Sequence, residues 1–232
     1  FPYTTLFRST AIAAKYGIPV HSDAVAAFGH VPTNFQSSGL ATMAISGHKI
    51  GSPVGVGALI VARDAKLAVI SHGGGQERGI RSGTLSAPLA YTLAQAAALA
   101  EAEREVLFSR LEKFRRQIVE SVMRVAPDAN FTRGSEPGFA GIVHFTFPGC
   151  SGDSLLFLLD TAGVSVSTGS ACRAGVAQAS HVLRAMGRTE DQARGSLRIS
   201  MGYTTTQQDV DAFLEAFPAA YAGAHKAGLP SK

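Results

Sequence analysis

Thr42-Met43-Ala44-Ile45-Ser46-Gly47-His48-Lys49-Ile50-Gly51-Ser52-Pro53-Val54-Gly55-Val56-Gly57-Ala58-Leu59-Ile60-Val61 holds two apolar runs around a polar, glycine-flanked turn. Residues 42–46 and 55–61 read as strands, the second a near-continuous apolar run suited to a buried sheet. Upstream, residues 10–16 read as the closing turns of a helix stopped by Gly17. Ile18-Pro19-Val20-His21 then forms a short strand ending in Ser22-Asp23. Downstream, a Gly-rich loop runs from His72-Gly73-Gly74-Gly75 to Gly83-Thr84. From Ser86 a helical pattern continues, with Leu107, Leu111, Phe114, Ile118 and Val122 on one stripe. Strands alternating with helices predict an α/β layer with a mostly parallel sheet.

The second half reads as a separate α+β unit. Residues 141–147 alternate as a strand, and Ser151 caps a helix carrying Leu155, Leu156, Leu158 and Leu159 with Gly163 at its exit. Residues 164–167 form a further strand, followed by the small-residue stretch Thr168-Gly169-Ser170-Ala171-Cys172-Arg173-Ala174-Gly175. In Leu197-Arg198-Ile199-Ser200, alternation puts Arg198 on the face opposite Leu197 and Ile199. Thr206 and Asp209 make a capping box for a last helix with Val210, Phe213, Leu214, Phe217 and Tyr221.

Composition narrows the function classes. The 232 residues are 46% hydrophobic and 16% charged, which excludes a disordered tail protein. A net charge of +4, scattered along the chain, argues against nucleic acid and weakly for a small anionic partner. Two cysteines cannot make a disulfide framework, no metal-ligand spacing surrounds them, and a reducing cytoplasmic setting fits. The most apolar stretch, 85–100, is broken by Ser86, Pro88, Thr92 and Gln95, so no membrane span is expected. The start, Phe1-Pro2-Tyr3-Thr4-Thr5-Leu6-Phe7-Arg8-Ser9, reads as the conceptual translation of a sequencing-adapter oligonucleotide and is set aside from fold reasoning.

Chemistry gathers at a few positions. Ser46-Gly47-His48-Lys49 closes a strand where open α/β sheets place ligands. A hydroxyl and an imidazole can hold a phosphate, and the lysine can form a Schiff base. Taken alone, such a tetrapeptide is more often an exposed basic turn. Asp23, at the end of the preceding strand, can be a turn residue, or can keep a pyridine nitrogen protonated and so suggest pyridoxal phosphate. Cys172 sits among small residues beside Arg173, which suits either an ordinary loop position or an accessible thiolate. Cys150, between Gly149 and Ser151, reads as a small turn residue. Arg198 can face solvent or clamp a carboxylate with its planar fork. His72, His144, His181 and His225 show no ligand spacing.

In this order the residues resemble the cysteine desulfurases, fold-type-I pyridoxal-phosphate enzymes of the class V aminotransferase superfamily. The resemblance rests on His21-Ser22-Asp23-Ala24-Val25, Ser46-Gly47-His48-Lys49, His72-Gly73-Gly74-Gly75-Gln76-Glu77-Arg78, Arg81-Ser82-Gly83-Thr84-Leu85, Ser167-Thr168-Gly169-Ser170-Ala171-Cys172 and Leu197-Arg198-Ile199-Ser200. The Ser-x-Gly-Ser-Ala-Cys loop is similar to the iron–sulfur-assembly group rather than the group whose cysteine follows Arg-x-Gly-His-His.

The resemblance implies roles. Lys49 would carry the cofactor as a Schiff base, Ser46 and His48 would hold its phosphate, and Asp23 its pyridine nitrogen. Thr84 would reach the phosphate of the partner subunit in a homodimer. Arg198 would grip the carboxylate of L-cysteine. Cys172 would attack the substrate sulfur, leaving L-alanine and a persulfide for an iron–sulfur scaffold or other acceptor, whose transient cluster Cys172 would contact. It also implies an architecture: residues 10–105 as the C-terminal part of the cofactor-binding large domain, and 106–232 as the small domain.

Two departures stand out. The family usually has Gln three residues after the pyridine-nitrogen Asp, and Ala26 stands there. The family's first part, with its ring-stacking His, an Asn and an Ala-Thr phosphate contact, precedes the matched segments. Residues 1–232 alone are therefore expected to leave apolar faces such as 55–61 uncovered, to be aggregation-prone or dependent on a partner, and not to turn over L-cysteine. Two rival readings are another class V aminotransferase-type enzyme using Lys49 and Asp23 without a cysteine, and a non-catalytic truncated relative acting only in binding.

Overall fold

A computed structural model describes residues 3–132, 138–168 and 179–228, with side chains from residue 8 onward. Two compact units emerge. One takes the described residues up to Val106 together with Gly138 and Phe139; the other takes the rest, from Leu107.

The first unit opens with α1 (Tyr3–Ala14), which reaches further back than the sequence predicts and takes in the segment set aside there. A three-stranded sheet follows, in the order β1 (His21–Asp23), β2 (Thr42–Ser46), β3 (Gly57–Val61). Between β1 and β2 lies the short helix α2 (Phe35–Ser38). Asn34 caps it by accepting from the Ser37 N–H at 3.0 Å, and Gly39 ends it at φ 72°. Ala24, Leu40 and Met43 are buried together, with Val20, Ala27, Phe35, Ile45 and Ile60 packed around them.

The sheet is mixed rather than mostly parallel. β1 and β2 are parallel, but β3 runs antiparallel to β2, with Thr42 opposite Val61 and Ser46 opposite Gly57. The connection explains this. Residues 47–56 join β2 to β3, and a parallel return needs a crossover of about a dozen residues or more. Within this chain β3 is left open on one side: Leu59 is 50% exposed.

Gly57 lets β3 close on the end of β2. A Cβ there would stand 2.7 Å from the Ile45 carbonyl oxygen, which is backbone and cannot yield. Gly57→Ala should therefore lower stability by about 1–3 kcal/mol, read as an earlier midpoint in urea unfolding followed by a probe in this unit. An unchanged midpoint would show that β3 can shift freely.

The long helix α3 (Ala87–Val125) begins directly after Ser86 and runs from the first unit into the second. Of the predicted stripe, Leu111, Phe114, Ile118 and Val122 are buried in the second unit. There, β4 (Asn130–Phe131), β5 (Ile142–Thr146) and β6 (Ser196–Ser200) form an antiparallel sheet. Its helices are α4 (Gly152–Thr161), α5 (His181–Ala185), α6 (Glu190–Arg194) and α7 (Gln207–Ala227).

The core of this unit joins Phe145, Phe147, Leu155, Leu159, Leu197 and Phe217, with a run of ring contacts from Phe131 through Phe145 and Phe147 to Phe217 and Phe213. Ser151 caps α4, and Thr206 with Asp209 completes the capping box of α7. The strand predicted at 164–167 reduces to a bridge of Ser167 to Arg198. Its first residue instead closes the end of α4, where the Val164 N–H donates to the Leu159 carbonyl at 2.9 Å.

Candidate active site

Parallel pairing brings the carboxyl ends of β1 and β2 together. Asp23 lies opposite Ala44, two residues before Ser46. Side chains alternate along a strand, so Asp23 and Ser46 share one face, while Met43 on the other face enters the core. The Asp23 carboxylate is exposed and accepts from the Val25 N–H at 2.9 Å, which fixes one oxygen.

The chain then turns tightly through Gly47–Lys49. The Ile50 and Ser52 N–H groups both donate to the Gly47 carbonyl at 3.0 Å, and the Gly47 N–H donates to the Val56 carbonyl at 2.9 Å. A Cβ on Gly47 would stand 2.9 Å from that of Ser52, so only glycine fits this turn without a shift. The turn sets Ser46 Oγ 2.8 Å from His48 Nδ1 and leaves the Lys49 side chain exposed beside them. A hydroxyl, an imidazole, a primary amine and a carboxylate thus sit at one sheet end. That donor set fits a phosphorylated pyridine aldehyde: two hydrogen-bonding groups for phosphate, an amine for the aldehyde and a carboxylate for the ring nitrogen.

Thr84 is exposed, in a loop tethered by the Gly83 N–H donating to Gln76 Oε1 at 3.0 Å. In that loop Glu77 and Arg78 both hold left-handed backbone, at φ 49° and 58°, a strained pair that non-glycine residues rarely adopt. Arg198 is half-buried on β6, in the second unit. Cys172 lies outside the described residues. Ala26 is exposed in the turn after Asp23, and its methyl can donate no hydrogen bond. Cys150 is buried, and burial together with the Asp128 carboxylate pushes its thiol up to about 11.

One residue of this region carries no mark in the sequence. His30 is half-buried against Phe139, with ring centroids 4.4 Å apart, and its Nδ1 is buried without a partner. Burial holds its imidazole below the ordinary value, and a hydrogen bond to the Lys49 backbone partly offsets this. Its place depends on a tertiary contact that no local pattern announces. Among the described residues no cluster of three His, Cys, Asp or Glu could hold a metal ion, and no helix is long and apolar enough to cross a membrane.

Comparison with known proteins places this geometry in a family. The chain is 49% identical over 221 residues to the IscS-like cysteine desulfurase of Mycobacterium tuberculosis, covering 95% of this chain and 56% of that relative. It is 38% identical over 207 residues to the cysteine desulfurase IscS of Methanosarcina thermophila, covering 89% and 51%. The solved structure of a NifS-like protein from Rickettsia africae matches with a TM-score of 0.82 at 31% identity, covering 94% of this chain and 57% of that one. The chain spans about half the length of the curated relatives it matches. The family model described as Aminotransferase class-V matches residues 6–213, and the chain belongs to that family, with the α/β fold of its pyridoxal-phosphate enzymes.

Proposed function

We propose that the whole protein is a pyridoxal-phosphate-dependent cysteine desulfurase, converting L-cysteine to L-alanine and passing the sulfur to its own Cys172. The observation that carries this reading is the convergence of Asp23, Ser46, His48 and Lys49 at one end of the parallel pair. Similarity to cysteine desulfurases and the small residues that flank Cys172 in the sequence support it.

When bound, the cofactor supplies an electron sink for bond-breaking at the substrate. Ser46 and His48 bind its phosphate, Asp23 holds the ring nitrogen protonated, and Lys49 anchors it and then moves the proton at the substrate carbon. Arg198 orients L-cysteine through its carboxylate. The Cys172 thiolate attacks the substrate sulfur: the Cys172 S–S bond forms, the substrate Cβ–S bond breaks, and protonation of the remaining three-carbon unit gives L-alanine. One thiol and one L-cysteine become one persulfide and one L-alanine, so no external oxidant is required.

In this reading residues 10–105 belong to the cofactor-binding domain and 106–232 form the small domain. Thr84 reaches the cofactor phosphate of a second subunit in a homodimer. The persulfide passes to an iron–sulfur scaffold or another acceptor in the cytoplasm. The decisive test is to load the whole protein with cofactor, add L-cysteine, and measure alanine and sulfur release, expected in equal amounts. Ala26 favours the rival of a non-catalytic relative, which predicts cofactor or partner binding with no alanine formed.

Arg198→Ala should raise KM for L-cysteine by about 10- to 100-fold while the cofactor spectrum stays intact, because a charge-assisted carboxylate contact contributes about 1.5–3 kcal/mol. An unchanged KM would move the carboxylate site elsewhere.

A further inference from the structure

The sheet of the second unit has one apolar and one polar face. Val143, Phe145, Leu197 and Ile199 are buried on the apolar side. The alternating residues His144 and Arg198 face the other way, directly opposite each other in the β5–β6 register. Arg198 commits both backbone groups to Ser167, donating to its carbonyl at 2.7 Å and accepting from its N–H at 3.0 Å. His144 and Arg198 are therefore the kind of cross-strand pair that shares no backbone hydrogen bond, the kind whose side chains stand closest. On its other flank, His144 accepts at its carbonyl from the Thr132 N–H at 2.8 Å. That kind of pairing holds side chains further apart. Thr132 Oγ1 is likewise buried without a partner, on the flank where the side chains stand further apart.

Both residues hold a buried nitrogen with no partner, Nδ1 of His144 and Nε of Arg198. Native structures leave few such atoms, and these two are complementary. An Arg Nε–H can only donate, and a neutral imidazole has one nitrogen free to accept. Burial and the nearby positive charges of Arg198 and Arg188 hold the His144 imidazole below its ordinary value, which preserves that acceptor. Joining the two requires a turn about the rotatable bonds of the Arg198 side chain. With Nε–H fixed by the imidazole, the two terminal nitrogens form a flat, oriented fork for a carboxylate.

We propose that His144 is a positioning residue for Arg198: its Nδ1 accepts from the Arg198 Nε–H and holds the guanidinium ready for an end-on grip of the substrate carboxylate. This rests on the reading of Arg198 as the carboxylate clamp, and it adds a determinant of amino-acid specificity to that site.

The test uses the whole, cofactor-loaded protein. His144→Phe should raise KM for L-cysteine by about 10-fold with little change in kcat, since a clamp used equally in ground and transition states acts on binding. His144→Asn, whose amide oxygen also accepts, should restore most of the loss. In an Arg198→Ala background, His144→Phe should add nothing. Cysteamine, which keeps the amine and thiol but lacks the carboxylate, should bind wild type and His144→Phe alike, whereas general damage to the fold would weaken both ligands. An unchanged KM, a parallel loss for cysteamine, or an effect that persists without Arg198 would each overturn the proposal. Calorimetry with L-alanine reads the same pair without turnover. A wild-type protein that binds L-alanine through His144 and Arg198 but releases no sulfur would sink the desulfurase reading alone.

Discussion

Lys49→Ala in the whole protein should abolish the visible absorption of protein-bound cofactor and cut turnover of L-cysteine by about 10²- to 10⁴-fold, the range for a lost acid–base group. The loss is chemical rather than structural. The Lys49 side chain is exposed, and the turn that presents it is held by backbone bonds to the Gly47 carbonyl and by the tight contact of Gly47 with Ser52. Truncating the side chain therefore leaves the turn in place. Its thermal midpoint without cofactor should match wild type. Borohydride reduction of the loaded wild type should attach the cofactor to Lys49; attachment to another lysine would move the site away from the end of β2.

Cys172→Ser should do the opposite, keeping the cofactor spectrum while persulfide formation and sulfide release disappear. The chain has one other cysteine, Cys150, and it cannot take over. It is buried, and with its thiol pushed up to about 11 it stays protonated near neutral pH, so little nucleophilic thiolate is present. Sulfur should consequently load at a single position. Full activity in the Cys172→Ser protein would favour an aminotransferase that needs no thiol.

Local chemistry makes much of the fold, and the turn that carries the candidate site, legible in the sequence. Glycine at 47 and the strand–turn–strand pattern around it mark where the chain reverses, and the structure adds why glycine is needed: Ser52 and Val56 close on it. Capping by Ser151 and by Thr206 with Asp209 depends on neighbours a few residues away, so residue type and spacing are enough. The alternation in Leu197-Arg198-Ile199 places Arg198 away from the core for the same reason.

Pairing between distant segments leaves no such mark. The apolar run of β3 does not reveal its direction, and its ten-residue link to β2 returns it antiparallel. His144 carries no local signal, because its partner lies 54 positions on and meets it only through the β5–β6 register. His30 is hidden in the same way, since its contact with Phe139 joins residues far apart in sequence.

The most direct test is to follow one round of reaction. Cofactor-loaded whole protein, free of reductant, is mixed with L-cysteine, digested, and its peptides weighed. The account predicts one L-alanine per subunit and the mass of one added sulfur atom on the peptide containing Cys172, with Cys150 unmodified. Alanine formed with no sulfur on Cys172, or sulfur found on Cys150, would contradict it.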